Sequence, residues 1–290
     1  MKLAIRCNWA GAETRQIGND VILVNQDAWD ADYALDWTSD PFNGLTQRYP
    51  PEKRAFATGE PSPLLPCSPE SLNAHYKGAI LSWQKQLSGF PQSKSFRYGT
   101  TWVLYPNDPK DKKFGIGGVF SGKNNPALNG YAVRREILNR QGEIKQPGMV
   151  FNPTHSWKGQ SCPYPVQSKK DALDYMFHLA IENCREEGYF SEKLMDCFMA
   201  YSIPIYYGDP LIGQIFDSNG IIEFDPATFL KQINQLTPED YSRRLPAMIE
   251  NRKRAHLFLD LFGNALLALK GERPQHCDLT LTLDWKIKKI

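Results

Sequence analysis

The chain has 290 residues, with 34 Lys and Arg against 32 Asp and Glu for a formal net charge of +2, and 41% of it is hydrophobic. That length and balance fit one or two globular domains with a real core and exclude a disordered, collagenous or coiled-coil chain. Near-neutrality also argues against a protein that grips nucleic acid through many phosphates, which needs a basic surplus or a concentrated patch. The two local basic clusters, around Lys110 to Lys113 and Arg252 to Arg254, read as solvated faces.

No stretch approaches the roughly 20 apolar residues of a membrane span. Met1 to Trp9 alternates like a strand and lacks the long apolar run of a signal peptide, so a cytoplasmic protein is expected. Cysteines at 7, 67, 162, 184, 197 and 277 form no Cys-x-x-Cys pair, and the five histidines are equally scattered. Reduced thiols and no structural metal are the expectation. No Walker loop, Gly-x-Ser-x-Gly elbow or full dinucleotide fingerprint occurs; Gly115-Ile116-Gly117-Gly118 reads as a glycine-rich strand end.

In chain order, short strands are expected at 2–9, 20–25, 32–37 and 54–58, followed by a loop where prolines crowd between Pro61 and Pro69. A mixed segment covers 75–87, and an aromatic, strand-like stretch covers 95–105. The polar break at 106–111 is the candidate domain boundary. Beyond it strand and helix alternate: strand 113–121, helix 130–139, a proline-rich loop 147–166, helix 170–175, strand 177–182, helix 191–201, strands 203–207 and 220–224. Helical pattern then runs from Pro226 to about Lys270, with Pro238 placed to start a helix after Thr237. Such alternation argues for a parallel sheet flanked by helices, and two Rossmann-like halves are the simplest architecture. The expected domains are 1–108 and 109–276, with a tail at 277–290 whose threonine–leucine alternation suggests an extra strand and a candidate oligomer contact.

The segment from Phe177 to Gly208 carries the chemistry. A strand ends in Ile181-Glu182-Asn183, a turn follows at Gly188, and Tyr189-Phe190-Ser191-Glu192-Lys193 opens a helix that leads to Ile203-Pro204-Ile205-Tyr206-Tyr207-Gly208. Ligands of parallel α/β sheets bind at such strand-to-helix loops. Ser191 is a natural N-cap. Free N–H groups and the helix dipole favour an anion beside Lys193, which suits a diphosphate. Periodicity alone favours a plain surface Glu-Lys pair.

These three ordered blocks resemble the signature of the alpha-1,3/1,4-fucosyltransferases, glycosyltransferase family ten: Phe-Glu-Asn-Ser, Tyr-Val/Ile-Thr-Glu-Lys and Val/Ile-Pro-Val/Ile-Tyr-x-Gly. Departures are Cys184 for Ser, Phe190 for Val or Ile, and Ser191 for Thr, which keeps the capping hydroxyl. Upstream, Phe120-Ser121-Gly122-Lys123-Asn124 followed by Arg134-Arg135-Glu136-Ile137-Leu138 is similar to the family's Ser-Asn segment and its helix-opening arginine, with Arg134 the better match and Arg135 the alternative. Phe56-Ala57-Thr58-Gly59-Glu60 resembles the Tyr-Thr-Gly-Glu block of bacterial members, although Pro61 stands where they carry Asn.

The resemblance, to a compact bacterial-type member, implies a GT-B fold: two Rossmann-like α/β domains facing across a cleft. It implies an inverting transfer of L-fucose from GDP-fucose to a hydroxyl of a glycan acceptor, in alpha-1,3 or a similar linkage. Glu60 is then the general base. Arg134 and Lys193 hold the donor diphosphate, Glu192 the donor hydroxyls and Tyr189 the nucleotide or sugar, while Asn183, Glu182 and Ser121 shape the pocket. No cofactor or divalent metal is expected. The partners are a nucleotide sugar and a glycan, with no nucleic acid. Coverage is strong from Lys113 to Phe258 and thin before it. Two other functions remain open: the same scaffold using another GDP-linked sugar, and a non-catalytic glycan- or nucleotide-binding protein. Trp37, Trp83 and Trp102 are candidates for stacking on an acceptor sugar, with a core position the better expectation for each.

Overall fold

A computed structural model of the chain describes residues 1–273, apart from 27, 38–41, 43, 44, 98, 104–108, 122 and 152–165. The chain divides into two compact units. Residues 1–98 and the segment that starts at Leu257 form one, and residues 99–256 form the other.

The first unit contains β1 (Lys2–Cys7), β2 (Glu13–Ile17), β3 (Asp20–Val24), β4 (Tyr33–Trp37), β5 (Arg54–Ala57), α1 (Pro69–His75), β6 (Ala79–Ser82) and β7 (Ser93–Ser95). The second contains β8 (Lys113–Val119), α2 (Asn129–Asn139), β9 (Gly148–Phe151), α3 (Val166–Ala172), β10 (Tyr175–Ile181), α4 (Glu192–Met199), β11 (Ile203–Tyr207), β12 (Ile222–Glu223), α5 (Phe229–Asn234) and α6 (Pro238–Ala255). Helix α7 (Leu261–Lys270) returns to the first unit. Both sheets thus sit in mixed α/β units, as the strand–helix alternation predicts.

Seven strands form the first sheet in the order β2-β3-β1-β4-β5-β6-β7. All its neighbours are parallel except the β2–β3 hairpin. Strand β2 is polar throughout most of its length and its side chains stay largely accessible, which suits an edge and explains why hydrophobic pattern does not announce it. Period-two alternation sorts the other strands. Leu3, Ile5, Ile22, Val24, Leu35, Trp37, Ala55, Ala57, Ala79 and Leu81 face one core. Ala4 and Ala34 face the opposite side with Leu45 and Tyr49, and Phe56 and Ile80 do so with Leu72 of α1 and Tyr76.

Helix α7 covers the first of these cores with Leu261, Phe262, Ala265, Leu266 and Leu269. That packing is why the expected boundaries at 108 and 276 differ from the observed division: the chain leaves the first unit after residue 98 and comes back at Leu257. Among the described residues of 95–105 the expected strand is also not found beyond Ser95. Strand β7 ends at Ser95, and Phe96 instead turns into the core. Most of the 106–111 break, residues 152–165 of the expected proline-rich loop, and the tail 278–290 lie outside the described residues. The expected helix at 170–175 is the end of α3 and the start of β10. Gly115 to Gly118 lie inside β8 rather than at its end.

In the second unit all five strands are parallel, in the order β12-β11-β10-β8-β9. Taken from the other edge this is a doubly wound order whose direction of winding reverses between β8 and β10, so a crevice is expected outside their carboxyl ends. Helix α6 starts as the sequence predicts, with Pro238 in its first turn and a capping box between Thr237 and Asp240.

Phe262 tests the assignment of α7. It is 1% exposed, lies stacked on Trp9 at 5.3 Å between ring centroids and carries the Arg15 guanidinium 5.0 Å from its own centroid. Phe262→Ala is expected to cost about 3–5 kcal/mol of stability in urea unfolding; a loss below about 1 kcal/mol removes α7 from this core.

Candidate functional site

At the carboxyl end of β10 the chain places Glu182, a carboxylate with 0% exposure. A buried carboxylate needs its lone pairs filled. Ser191 does this twice, its N–H donating to Glu182 Oε1 at 2.8 Å and its hydroxyl to Oε2 at 2.7 Å. The Lys193 ammonium stands 3.5 Å from the same Oε2. Ser191 is also the N-cap of α4, accepting from the Lys193 N–H at 3.3 Å. One side chain therefore binds the strand end to the start of the helix, which is the physical content of the Glu-Asn and Ser-Glu-Lys blocks.

The neighbouring blocks fit around this carboxylate. The guanidinium of Arg134, 4% exposed, donates to the Ile181 carbonyl from Nε at 3.0 Å and from Nη2 at 2.5 Å. Arg135 instead donates to Asn124 at 2.6 Å, so of the two arginines it is Arg134 that reaches the strand end. The Tyr189 hydroxyl donates to Asn183 Oδ1 at 2.5 Å, and its ring is 2% exposed, so in this arrangement it fixes Asn183. The Tyr206 hydroxyl donates to the Tyr189 carbonyl at 3.2 Å and accepts the Asp209 N–H at 2.9 Å. Two glycines are required by close approach. A Cβ on Gly208 meets Tyr206 Oη at 2.2 Å and Glu182 Cγ at 2.7 Å, and one on Gly130 meets the Glu182 carbonyl oxygen at 1.9 Å.

Charges alternate across this cluster. Lys193 Nζ donates to Glu192 Oε1 at 2.9 Å and to the Ser191 hydroxyl at 3.1 Å. Burial opposes the Lys193 charge, but the Glu192 and Glu182 carboxylates outweigh it and raise its pKa. Burial likewise pushes the Glu192 carboxyl up, yet the Lys193 and Lys169 ammoniums bring it down from its ordinary 4.5 to about 2. Glu182 goes the other way: burial raises it against the pull of Lys193. Burial lowers the Arg134 pKa, opposed by Glu182 and, more weakly, by Tyr131, Tyr189 and Glu192.

Arg134, Glu182, Asn183, Tyr189, Glu192 and Lys193 are thus brought together beside the switch point. Ser121 lies two residues past the end of β8, the parallel neighbour of β10. Glu60 belongs to the first unit. It follows the carboxyl end of β5, is exposed, and has its backbone held by the Thr58 hydroxyl at 3.1 Å and by the amide of buried Gln84 at 2.8 Å. Sequence reading missed Gln84 and Lys169. Lys169 pairs with Asp196 and faces Glu192, but in the sequence it is one half of a Lys-Lys pair with nothing to separate it from a solvated charge. Among the described residues no group of three or more His, Cys, Asp or Glu side chains is placed to hold a metal ion, and no helix is long and apolar enough to cross a membrane.

No protein-family model matches the chain. An alpha-(1,3)-fucosyltransferase of Helicobacter pylori is 27% identical over 167 residues, which cover 57% of this chain and 30% of the relative's length. A crystal structure of an alpha1,3-fucosyltransferase superimposes over 87% of this chain and 82% of its own, with a TM-score of 0.53 and 18% identity. Another, with GDP-fucose, covers 96% and 92% at a TM-score of 0.54 and 17% identity. The chain shares the α/β fold of these structures and is similar in sequence, over 167 residues, to the Helicobacter pylori enzyme.

Two outcomes follow from the Glu182–Ser191 junction. Ser191→Ala removes a helix cap and the hydroxyl that supports Glu182 Oε2, and is expected to cost about 2–4 kcal/mol in chemical unfolding. Folding favours ionised Glu192, so its contribution is fully present above the ordinary 4.5 and is lost as pH falls towards about 2. The stability difference between the wild type and Glu192→Gln should therefore be largest near neutrality and shrink through that window; a pH-independent difference contradicts the assignment.

Proposed function

We propose that this protein is an inverting, metal-independent transferase that moves L-fucose from GDP-fucose to a hydroxyl of a glycan acceptor. The observation that carries the reading is the cluster at the β10–α4 junction: a guanidinium, an ammonium and a helix N-terminus meet at the switch point of a doubly wound sheet, in a chain related to fucosyltransferases by sequence and fold. In this reading the second unit binds the donor and the first binds the acceptor, as two domains of GT-B type across a cleft, acting in the cytoplasm.

Negative charge develops on the diphosphate as the glycosidic bond breaks. Arg134 and Lys193 meet it with charge-assisted hydrogen bonds, and the free N–H groups of α4 add their dipole. Glu192, held ionised, accepts from hydroxyls of the donor sugar. Asn183, fixed by Tyr189, and Ser121 border the same crevice, while Glu182 serves as the strut beneath it. Glu60 takes the proton from the acceptor hydroxyl as that oxygen attacks opposite the departing diphosphate.

Isotope-labelled GDP-fucose offered with a glycan panel tests the donor: neither transfer nor hydrolysis, with turnover of another GDP-linked sugar, replaces fucose in the proposal. Glu60→Gln is expected to lower kcat by about 10²–10⁴-fold with GDP binding kept. Unchanged turnover in that variant removes Glu60 as the base. A structure with GDP in which Arg134 and Lys193 both point away from the diphosphate overturns the site.

A further inference from the structure

Trp102 is 51% exposed, whereas Trp37 lies in the core with 4% exposure. The expectation of a core position thus fails for Trp102. An indole left half in water forgoes part of the gain of burial, yet the backbone that carries this one is anchored. The backbone N–H of Trp102 donates to Asp196 Oδ1 at 2.6 Å, and the Thr101 hydroxyl donates to the same oxygen at 2.6 Å. The other carboxylate oxygen of Asp196 pairs with Lys169, whose ammonium lies 5.4 Å from the centroid of the Trp102 ring. Asp196 itself is buried.

These contacts fix the backbone at Trp102 and set the Lys169 ammonium against its ring. Asp196 sits on α4 one turn beyond Glu192 and Lys193, on the same side of the helix as Glu192. Lys169 acts on both carboxylates, Asp196 and Glu192. The backbone of Trp102 is therefore tied by a short chain of ion pairs and hydrogen bonds to the residues assigned to the donor. A flat apolar surface on an anchored backbone, with the Lys169 ammonium against the ring, matches a pyranose, which offers an apolar C–H face with polar groups around its rim. Anchoring the backbone in advance removes part of the ordering cost of binding.

Resting on the transferase reading, we propose that Trp102 is a carbohydrate-stacking residue, positioned by Asp196 and Lys169, that takes one sugar ring of the substrates at the edge of the donor site. The sugar is either the one carried by the nucleotide or one from the acceptor, and binding measurements separate the two. Calorimetric titrations with GDP and with GDP-fucose, and NMR titrations with methyl galactoside, methyl N-acetylglucosaminide and lactose, are made on the wild type, Trp102→Phe and Trp102→Ala.

Trp102→Ala is expected to weaken one sugar-bearing ligand about ten-fold or more, with Trp102→Phe within about three-fold of the wild type and GDP affinity unchanged in both. A loss confined to GDP-fucose assigns the nucleotide's sugar, and a loss confined to a glycoside assigns the acceptor. Unaltered binding of every sugar, or equal weakening of GDP and GDP-fucose, overturns the proposal. Unchanged GDP affinity also serves as the check that the alanine variant is folded. A wild type that binds neither GDP nor GDP-fucose refutes the transferase reading instead, and the glycoside titrations then decide the role of Trp102 separately.

Discussion

The second unit depends on how one fully buried carboxylate is satisfied. Glu182 stands where β10 ends, and both of its oxygens are met by Ser191, nine residues on. Without those bonds the carboxylate faces a large desolvation cost. With them, the loop 183–190 is pinned at both ends, and the start of α4 is set against the sheet. Arg134, Asn183, Glu192 and Lys193 each take their place from that junction, directly or through one neighbour. Even the glycines follow from it, since Gly130 and Gly208 leave the space that Glu182 occupies.

The same constraint explains which features were legible in the sequence. Ser191 as a cap, the strand Ile203–Tyr207 and the grouping of Glu182, Asn183, Glu192 and Lys193 could be read because each is encoded locally, by a capping hydroxyl, an apolar run or residues a few positions apart. What covers what could not be read. The apolar residues of α7 declare a buried face, but periodicity does not say that the face belongs to a sheet formed far earlier in the chain. Trp102 and Lys169 share this limit. Their roles come from Asp196, and nothing near either residue in the chain points to it. Polar β2 gave no signal at all, because an edge strand is stabilised by its ladder to β3 more than by burial.

The two ends of the candidate machinery are built differently. In the second unit the candidate side chains are themselves buried or half-buried packing elements, so changing their chemistry also changes stability. Glu60 is exposed and lies on a turn whose backbone is steadied by Thr58 and Gln84. A residue of that kind can change without unfolding its unit, which leaves the loop after β5 more open to variation than the β10–α4 junction. The replacement of the family's Asn by Pro61 falls on that freer side.

Lys193 has three ammonium protons, and three acceptors already stand around it: Glu182 at 3.5 Å, Glu192 at 2.9 Å and Ser191 at 3.1 Å. In the proposed function, a diphosphate arriving there does not meet a bare cation. It must exchange with one of these partners, so the net gain is the difference between two ion pairs rather than the full strength of one. The internal carboxylates then wait to reclaim the lysine when the leaving group departs. A site that serves as its own counterion holds a highly charged product less tightly than its count of cations suggests, and the ease of release is set by the same pairs that build the helix start.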